Sequence, residues 1–336
     1  MTPLRPYQPK TGSIKVGRLL FFAIFFSAVV LGFTWARVEG EVIHIGLSTP
    51  GLYEIPTEIA KRKGFYKEEG LEIRKVVMRT GLHLASLLSG ELDYSTVSGI
   101  LIRSAVRGAP VKMVMGFFDK PLHMLVGRPG IQRMTDLKGK KVAVSSFGST
   151  PHVLLREAMR KEGMNPDKDI TILSVGGSSD RLAALRSGFV DATPLDLAYI
   201  DRMEKLGFTN ILYLGDVVDL PLGGFVTTRD KIEKNPDQIR RVIRATLKGI
   251  RLYKDNRKET LDILRSYLHI DNESADKVYQ FALRSLNEDG GIATTSLNNE
   301  IRLAREFLKV QEEIPYSQVV ELKFVKEVQS KPYEIR

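Results

Sequence analysis

Lys141-Val142-Ala143-Val144-Ser145-Ser146-Phe147-Gly148-Ser149-Thr150-Pro151-His152-Val153-Leu154-Leu155 carries three signals in succession. The β-branched Val142 and Val144 predict a short strand, and the small and hydroxyl residues after them a tight loop. Val153, Leu154, Ala158 and Met159 share one helical face, with Arg156, Glu157, Arg160 and Lys161 on the rest. Thr150 before Pro151 suits an N-cap and first helical position, because proline lacks only an N–H that has no partner there. The free N–H groups of such a start point into the loop with partial positive charge, which makes it a candidate anion seat. Gly148 admits close backbone approach, and Ser145, Ser146, Ser149 and Thr150 offer hydroxyls. Ordinary capping accounts for the same residues, so the rest of the chain must decide.

The unit around this stretch occurs twice. Val42–Leu47 predicts a strand, followed by a loop at residues 48–51, a helix carrying Ile55, Ile59 and Ala60 inward and ending at Gly64, a strand at Leu71–Val77, a helix at Leu82–Leu88 and a strand-like Leu92–Val97. The same order returns as Val142–Val144, Pro151–Lys161, Ile170–Val175, Asp180–Arg186 and Phe189–Thr193. The local echo is Leu88-Ser89-Gly90-Glu91-Leu92-Asp93-Tyr94 against Arg186-Ser187-Gly188-Phe189-Val190-Asp191-Ala192. In each, serine and glycine end a helix and an aspartate follows three residues after the glycine. Alternation of this kind builds parallel, helix-covered sheets, here as two related α/β lobes. Leu122–Gly127 and Gly223–Thr228 read as the strands by which the chain crosses between the lobes and returns. From Pro236 onward the pattern is helical: Pro236–Lys254, Arg257–Leu268, Glu273–Leu286 and Leu297–Glu313, wrapping the first lobe. The expected divisions are 1–36 as a signal or anchor, 37–126 and 224–336 as the first lobe, and 127–223 as the second.

Composition narrows the chemistry. The chain has 336 residues and a formal charge of +10. Arg5, Lys10, Lys15 and Arg18 fall in the first 36 residues, which hold no acid, and the remaining charges are interspersed along helices. That pattern reads as solvated surface and not as a nucleic-acid track. There is no cysteine, which excludes disulfides, thiolate nucleophiles, cysteine-based metal sites and a lipidated N-terminal cysteine. The five histidines show no metal spacing and read as packing or surface residues. A basic flank before the apolar run Leu19–Phe33 reads as an export signal, with Thr34-Trp35-Ala36 as a cleavage site or, alternatively, as the end of an uncleaved anchor. In both cases the body lies outside the cytoplasm.

With Ala60-Lys61-Arg62-Lys63-Gly64-Phe65-Tyr66-Lys67-Glu68-Glu69-Gly70-Leu71-Glu72-Ile73, Gly90-Glu91-Leu92-Asp93, Asp136-Leu137-Lys138-Gly139-Lys140-Lys141-Val142-Ala143-Val144, the Gly148-Ser149 loop and Gly188-Phe189-Val190-Asp191-Ala192, the chain resembles the type II extracytoplasmic solute-binding proteins of ABC importers. Within them it is similar to the NMT1-like and SsuA-like group that includes sulfonate, taurine, nitrate and thiamine-precursor binders. The likeness spans roughly Val42 to Ser317. It implies the periplasmic-binding-protein type II fold and a periplasmic, monomeric capture protein. Such a protein uses no cofactor or metal and hands a small solute to a permease and its ATPase subunits. By matching position it implies a first-lobe wall of Ser48, Thr49, Tyr53, Thr96, Val97 and Ser98. The second-lobe wall would be Ser146, Phe147, Gly148, Ser149, Thr150, Thr193 and Asp196, with Phe118 and Asp119 at the mouth. In sulfonate-type relatives the Gly-Ser loop meets the anionic head group. An acidic Asp196 in the cleft argues against a nitrate- or taurine-like ligand, while Tyr53, Phe118 and Phe147 offer surface to an apolar or aromatic body. The alternatives are an enzyme on the same fold, a pyrimidine-precursor synthase or a lyase in which Asp119 and Asp196 meet, and a membrane-anchored ligand sensor.

Overall fold

A computed structural model describes residues 40–331 and, before them, Gln8 alone. The signal or anchor read in residues 1–36 therefore falls outside the described residues, Gln8 apart. Ten strands are described: β1 Glu41–Leu47, β2 Leu71–Val77, β3 Tyr94–Ser95, β4 Val111–Phe118, β5 His123–Gly127, β6 Lys141–Val144, β7 Thr171–Ser174, β8 Ala192–Asp196, β9 Thr209–Tyr213 and β10 Leu222–Thr228. They form two five-stranded sheets, ordered β2-β1-β3-β10-β4 and β7-β6-β8-β5-β9. In each, three strands run parallel and the fourth is antiparallel to both its neighbours, so the two sheets share one topology.

The echo seen in sequence has a structural cause. Asp93 accepts a hydrogen bond from His44 N at 2.7 Å, and Asp191 accepts one from Lys141 N at 2.9 Å. Each aspartate thus ties the chain after a helix to the first strand of its own lobe. Gly90 and Gly188, just before, both hold left-handed backbone at φ +80° and +77°, where other residues are strained.

The helices that matter are α1 Ile55–Arg62, α2 Ser98–Val106, α3 Thr150–Lys161, α4 Ser178–Ser187, α5 Pro236–Asp255, α6 Arg257–Leu268, α7 Asn272–Ser285 and α8 Thr294–Leu308. Ile55, Ile59 and Ala60 of α1 are fully buried in one core with Ile239, Val242 and Ile243 of α5, as the periodicity implied. Leu303 of α8 instead joins the second-lobe core beside Leu155 and Met159, so the last long helix reaches across from the first lobe. Sequence reading passed over α2 and β4. Nearly every residue of α2 is buried, Arg103 included, so no polar face marks its period. The lobe boundary also moves. Residues 123–127 ladder to β8 and β9 and belong wholly to the second sheet, so the first crossing is the segment 119–122 and not a break at 126/127.

Candidate functional site

Three helices begin at one place. The turn after β3 leads into α2, the loop after β6 into α3, and Gly176-Gly177 after β7 into α4. None of the three N-caps, Val97, Ser149 and Gly177, closes its helix with a side-chain hydrogen bond. Ser149 turns its hydroxyl back to Ser146 O at 2.7 Å instead. First-turn N–H groups have no partner within their own helix, and here side-chain capping does not supply one. Asp180 partly satisfies α4 by accepting from Gly177 N at 3.1 Å. The N-cap of α3 is therefore Ser149, one residue before the expected Thr150.

These starts surround a partly open cavity of about 60 Å³ between the lobes, lined among others by Ser48, Tyr53, Glu54, Thr96, Ser98, His123, Ser149, Thr150, Ser178 and Arg181. Crevices beyond the carboxyl ends of parallel strands are where α/β sheets take ligands. Arg181, 2% exposed, lines the wall. Its guanidinium donates to Gly176 O at 2.7 Å, Pro194 O at 3.2 Å and Ser178 Oγ at 3.2 Å, all neutral groups. Its charge, partly offset by the nearby Asp196 and Asp180, adds to the positive ends of the helices.

A different chemistry lies on the same wall. Glu54, 1% exposed, accepts from the Thr96 hydroxyl on Oε1 and leaves Oε2 without a partner. Burial pushes its carboxyl up to about 7, against the opposing pull of Lys75 and the Thr96 hydrogen bond. His123 stacks on Tyr53 with ring centroids 5.9 Å apart and leaves Nδ1 unpartnered. Burial, and then the Arg181 charge, lower it to about 3, so it is neutral at physiological pH.

The lobes touch at the cavity rim. Arg103 of α2 donates to Gly148 O at 2.9 Å while pairing with the buried Glu300 of α8 at 2.9 Å. Asp196, at the end of β8, accepts from Leu52 N of the first lobe at 3.1 Å and from Ala198 N at 2.8 Å.

Of the residues named from sequence, Ser48, Tyr53, Thr96, Val97, Ser98, Ser149 and Thr150 line the cavity. The others lie elsewhere. Thr49 faces Gly177 across the rim, where a Cβ on the glycine would stand 2.5 Å from its hydroxyl. Phe118 is sealed in the first-lobe core. Asp119 binds Asn287 Nδ2 at 2.6 Å and Ala293 N at 2.9 Å. Ser146 is outside the lining, and Ser145 takes its place. Phe147 is 57% exposed and packs edge-on against His152. Gly148 serves Arg103, and Thr193 is a strand residue donating to Ala143 O at 3.0 Å. Asp196 is fully buried on the N–H groups of Leu52 and Ala198 and is not among the cavity-lining residues, although it lies beside Tyr53 and Arg181, which are. Asp119 and Asp196 keep separate partners and form no catalytic pair. Sequence reading offered Ser145 only as a loop hydroxyl, missed Glu54, Thr80, Gly99, Ile100, Pro151, Gly177, Ser178, Arg181, Leu222 and Gly223, and assigned His123 to packing or surface. One signal was legible: Gly176-Gly177-Ser178 repeats the small-residue entry into a helix seen at Gly148-Ser149-Thr150.

Two lobes of one topology, crossed twice around a cavity between them, form the periplasmic-binding-protein fold. Residues 53–260 match the family model described as NMT1/THI5 like, and the chain belongs to that family. It is 25% identical over 235 residues to the riboflavin-binding protein RibY of Chloroflexus aurantiacus, covering 65% of this chain and 64% of that one. It is 23% identical over 259 residues to the 4-amino-5-hydroxymethyl-2-methylpyrimidine phosphate synthase of Schizosaccharomyces pombe, covering 68% and 69%. Among solved structures, the ligand-binding component of an ABC-type import system from Staphylococcus aureus aligns with a TM-score of 0.68 at 19% identity, covering 86% of this chain and 99% of that one. The periplasmic aliphatic sulphonate binding protein SsuA from Escherichia coli aligns with a TM-score of 0.65 at 20% identity, covering 88% and 94%. These likenesses fix the fold. Among the described residues no helix is long and apolar enough to cross a membrane.

Proposed function

We propose that the chain is the extracytoplasmic solute-binding component of an ABC importer. It captures a small organic solute with an anionic group between its lobes and delivers it to a permease and its ATPase subunits. One observation carries this reading: the first turns of three helices, one from the first lobe and two from the second, meet Arg181 around one cavity. An anion there is contacted from both lobes only when they are shut, so it draws the population toward the closed form. The structural neighbours named for import and for a periplasmic location support the reading.

The test is a thermal-shift and calorimetric screen of the purified protein against small sulfonates, phosphates and carboxylates. We expect at least one to raise Tm by several degrees and to contract the particle in small-angle scattering. If no anion in the screen stabilises the protein, the reading fails. The synthase relatives favour a second reading, an enzyme on this fold. It requires a tight-binding solute to be recovered chemically changed after incubation, which mass spectrometry of the bound fraction reads directly.

A further inference from the structure

A contact between the lobes lies outside the cavity, at His152. We propose that His152 is a pH-sensitive clasp. As neutral imidazole it keeps the lobes shut, and on taking up a proton it lets them part. The consequence, release of the solute in acid surroundings, rests on the solute-binding reading above; the clasp itself is testable with no solute.

The ring, 2% exposed, is held on three sides. Phe147 of its own lobe meets it edge-on with centroids 5.5 Å apart, and Phe307 of α8 does so at 5.4 Å. Leu297, Ile301 and Ala304 seat α8 in the first lobe, in one core with Leu101, Ile102 and Ala105 of α2. The Phe307 contact therefore joins the lobes. On the third side Gly148 N donates to His152 Nδ1 at 3.1 Å, which places the proton of the neutral ring on Nε2. Gly148 is the residue that both lobes hold. Its carbonyl accepts from Arg103 of α2 at 2.9 Å, and a Cβ on it would stand 2.9 Å from the Phe307 ring. Ser149 and Thr150, next in the chain, line the cavity. What fixes Gly148 thus fixes the second-lobe wall against the first.

A proton on Nδ1 takes the lone pair that the Gly148 N–H uses, so protonation and this arrangement exclude each other. The charged groups around the ring are Arg156 and Arg160 of its own helix, Arg103 of α2, Asp167 before β7, and Glu306 and Lys309 beside Phe307. Asp167 is paired with Arg156 at 2.6 Å and Glu306 with Arg302 at 2.8 Å. Phenyl faces attract a cation, but that attraction is set against burial, three guanidinium groups and a lost hydrogen bond. Burial first, then the charges of Arg156 and Arg103, lower His152 to about 4. Parting the lobes takes away Phe307 and Arg103 and admits water, which returns the ring toward its ordinary value near 6.5. The open form then binds a proton that the shut form refuses. The shut form is fully favoured above about pH 6.5 and loses roughly tenfold per pH unit below it, down to about 4.

Small-angle scattering and circular dichroism of the full chain without solute, at pH 7.5 and pH 5, read the lobes and the fold separately. We expect the wild-type radius of gyration to grow reversibly at pH 5 with the helix signal kept. His152→Asn, whose Oδ1 accepts from Gly148 N and takes no proton, should stay contracted at both values. Phe307→Ala removes a side chain that is 39% exposed, so it should keep the fold and be expanded at both. Calorimetry with methanesulfonate, ethanesulfonate and propane-1-sulfonate, whose charge is constant over this range, reads the consequence. Affinity at pH 5 should be at least tenfold weaker than at pH 7.5 for wild type and within about threefold for His152→Asn. Glu54 and Asp196 titrate in the same window but are present in both proteins, so the difference belongs to His152. One radius for wild type at both pH values overturns the clasp, as does His152→Asn expanding like wild type; sulfonate binding would then leave the capture reading standing. Acid expansion confined to wild type, with no sulfonate bound at either pH, upholds the clasp and counts against capture. Should His152→Asn not fold, Phe307→Ala decides, and a response like that of wild type overturns the proposal.

Discussion

At the scale of single residues, a buried carboxyl tells on stability through pH. The pKa of Glu54 is raised by burial to about 7, above that of a free glutamate, so the folded protein holds a proton there that the unfolded chain releases near pH 4. A raised group favours folding fully below its unfolded pKa, and that contribution is lost as pH rises through 7. Glu54→Gln removes the cost of the ionised form. It should therefore stabilise the unliganded protein at pH 8 by on the order of 2–3 kcal/mol and change little at pH 4. Urea unfolding at the two pH values measures this. Equal effects at both would mean that the carboxyl is already paired. Asp196 belongs to the same class, raised to about 6 by burial and held down by the N–H groups of Ala198 and Leu52.

The element scale is where Arg103 matters. It leaves α2 fully buried, pairs with Glu300 of α8, and reaches the Gly148 carbonyl of the opposite lobe. A buried ion pair adds little net stability, but removing one partner strands the other charge. Glu300→Ala should cost about 3–5 kcal/mol in chemical denaturation. A double change of Arg103→Met and Glu300→Leu should recover most of that loss, since no lone charge remains. A double variant as unstable as the single one would show that the pair is needed for packing and not only for charge balance. The sequence displayed these helices unevenly. The two-sided polarity of α5 and α6 made their bounds legible almost to the residue, whereas α2, buried all round, offered no contrast to read.

For the whole molecule the decisive contact is where α2 and α3 meet across the cavity. A Cβ on Gly99 would lie 2.3 Å from Thr150 Oγ1 of the other lobe. Gly99→Ala should therefore hold the lobes apart. The same Cβ would also lie 2.8 Å from Nη1 of the buried Arg103, so the helix propensity gained by alanine, up to about 1 kcal/mol, is set against a shift of that side chain. We expect a modestly lowered Tm without solute, at least tenfold weaker solute binding, and no contraction in small-angle scattering on solute addition. Undiminished closure in this variant would show that the lobes meet differently from the arrangement described. Part of the cavity lining is legible in the sequence. Ser48, Thr96 and Ser98 are implied only by the family resemblance, whereas the strand–loop–helix start has a local signature that announces Ser149 and Thr150. Glu54, His123 and Arg181 have none: each is a charged or polar residue whose neighbours in sequence look like surface or packing.

The sequence by itself determined the duplicated strand–helix order, the glycine stops and the aspartates that tie each lobe, since these follow from contacts within a few tens of residues. Only the tertiary structure decided which side chains look into the cavity. Asp196 is held by the N–H groups of Leu52 and Ala198 and Glu54 by the Thr96 hydroxyl, because the position of a buried polar group is set by the partners that another part of the chain brings to it.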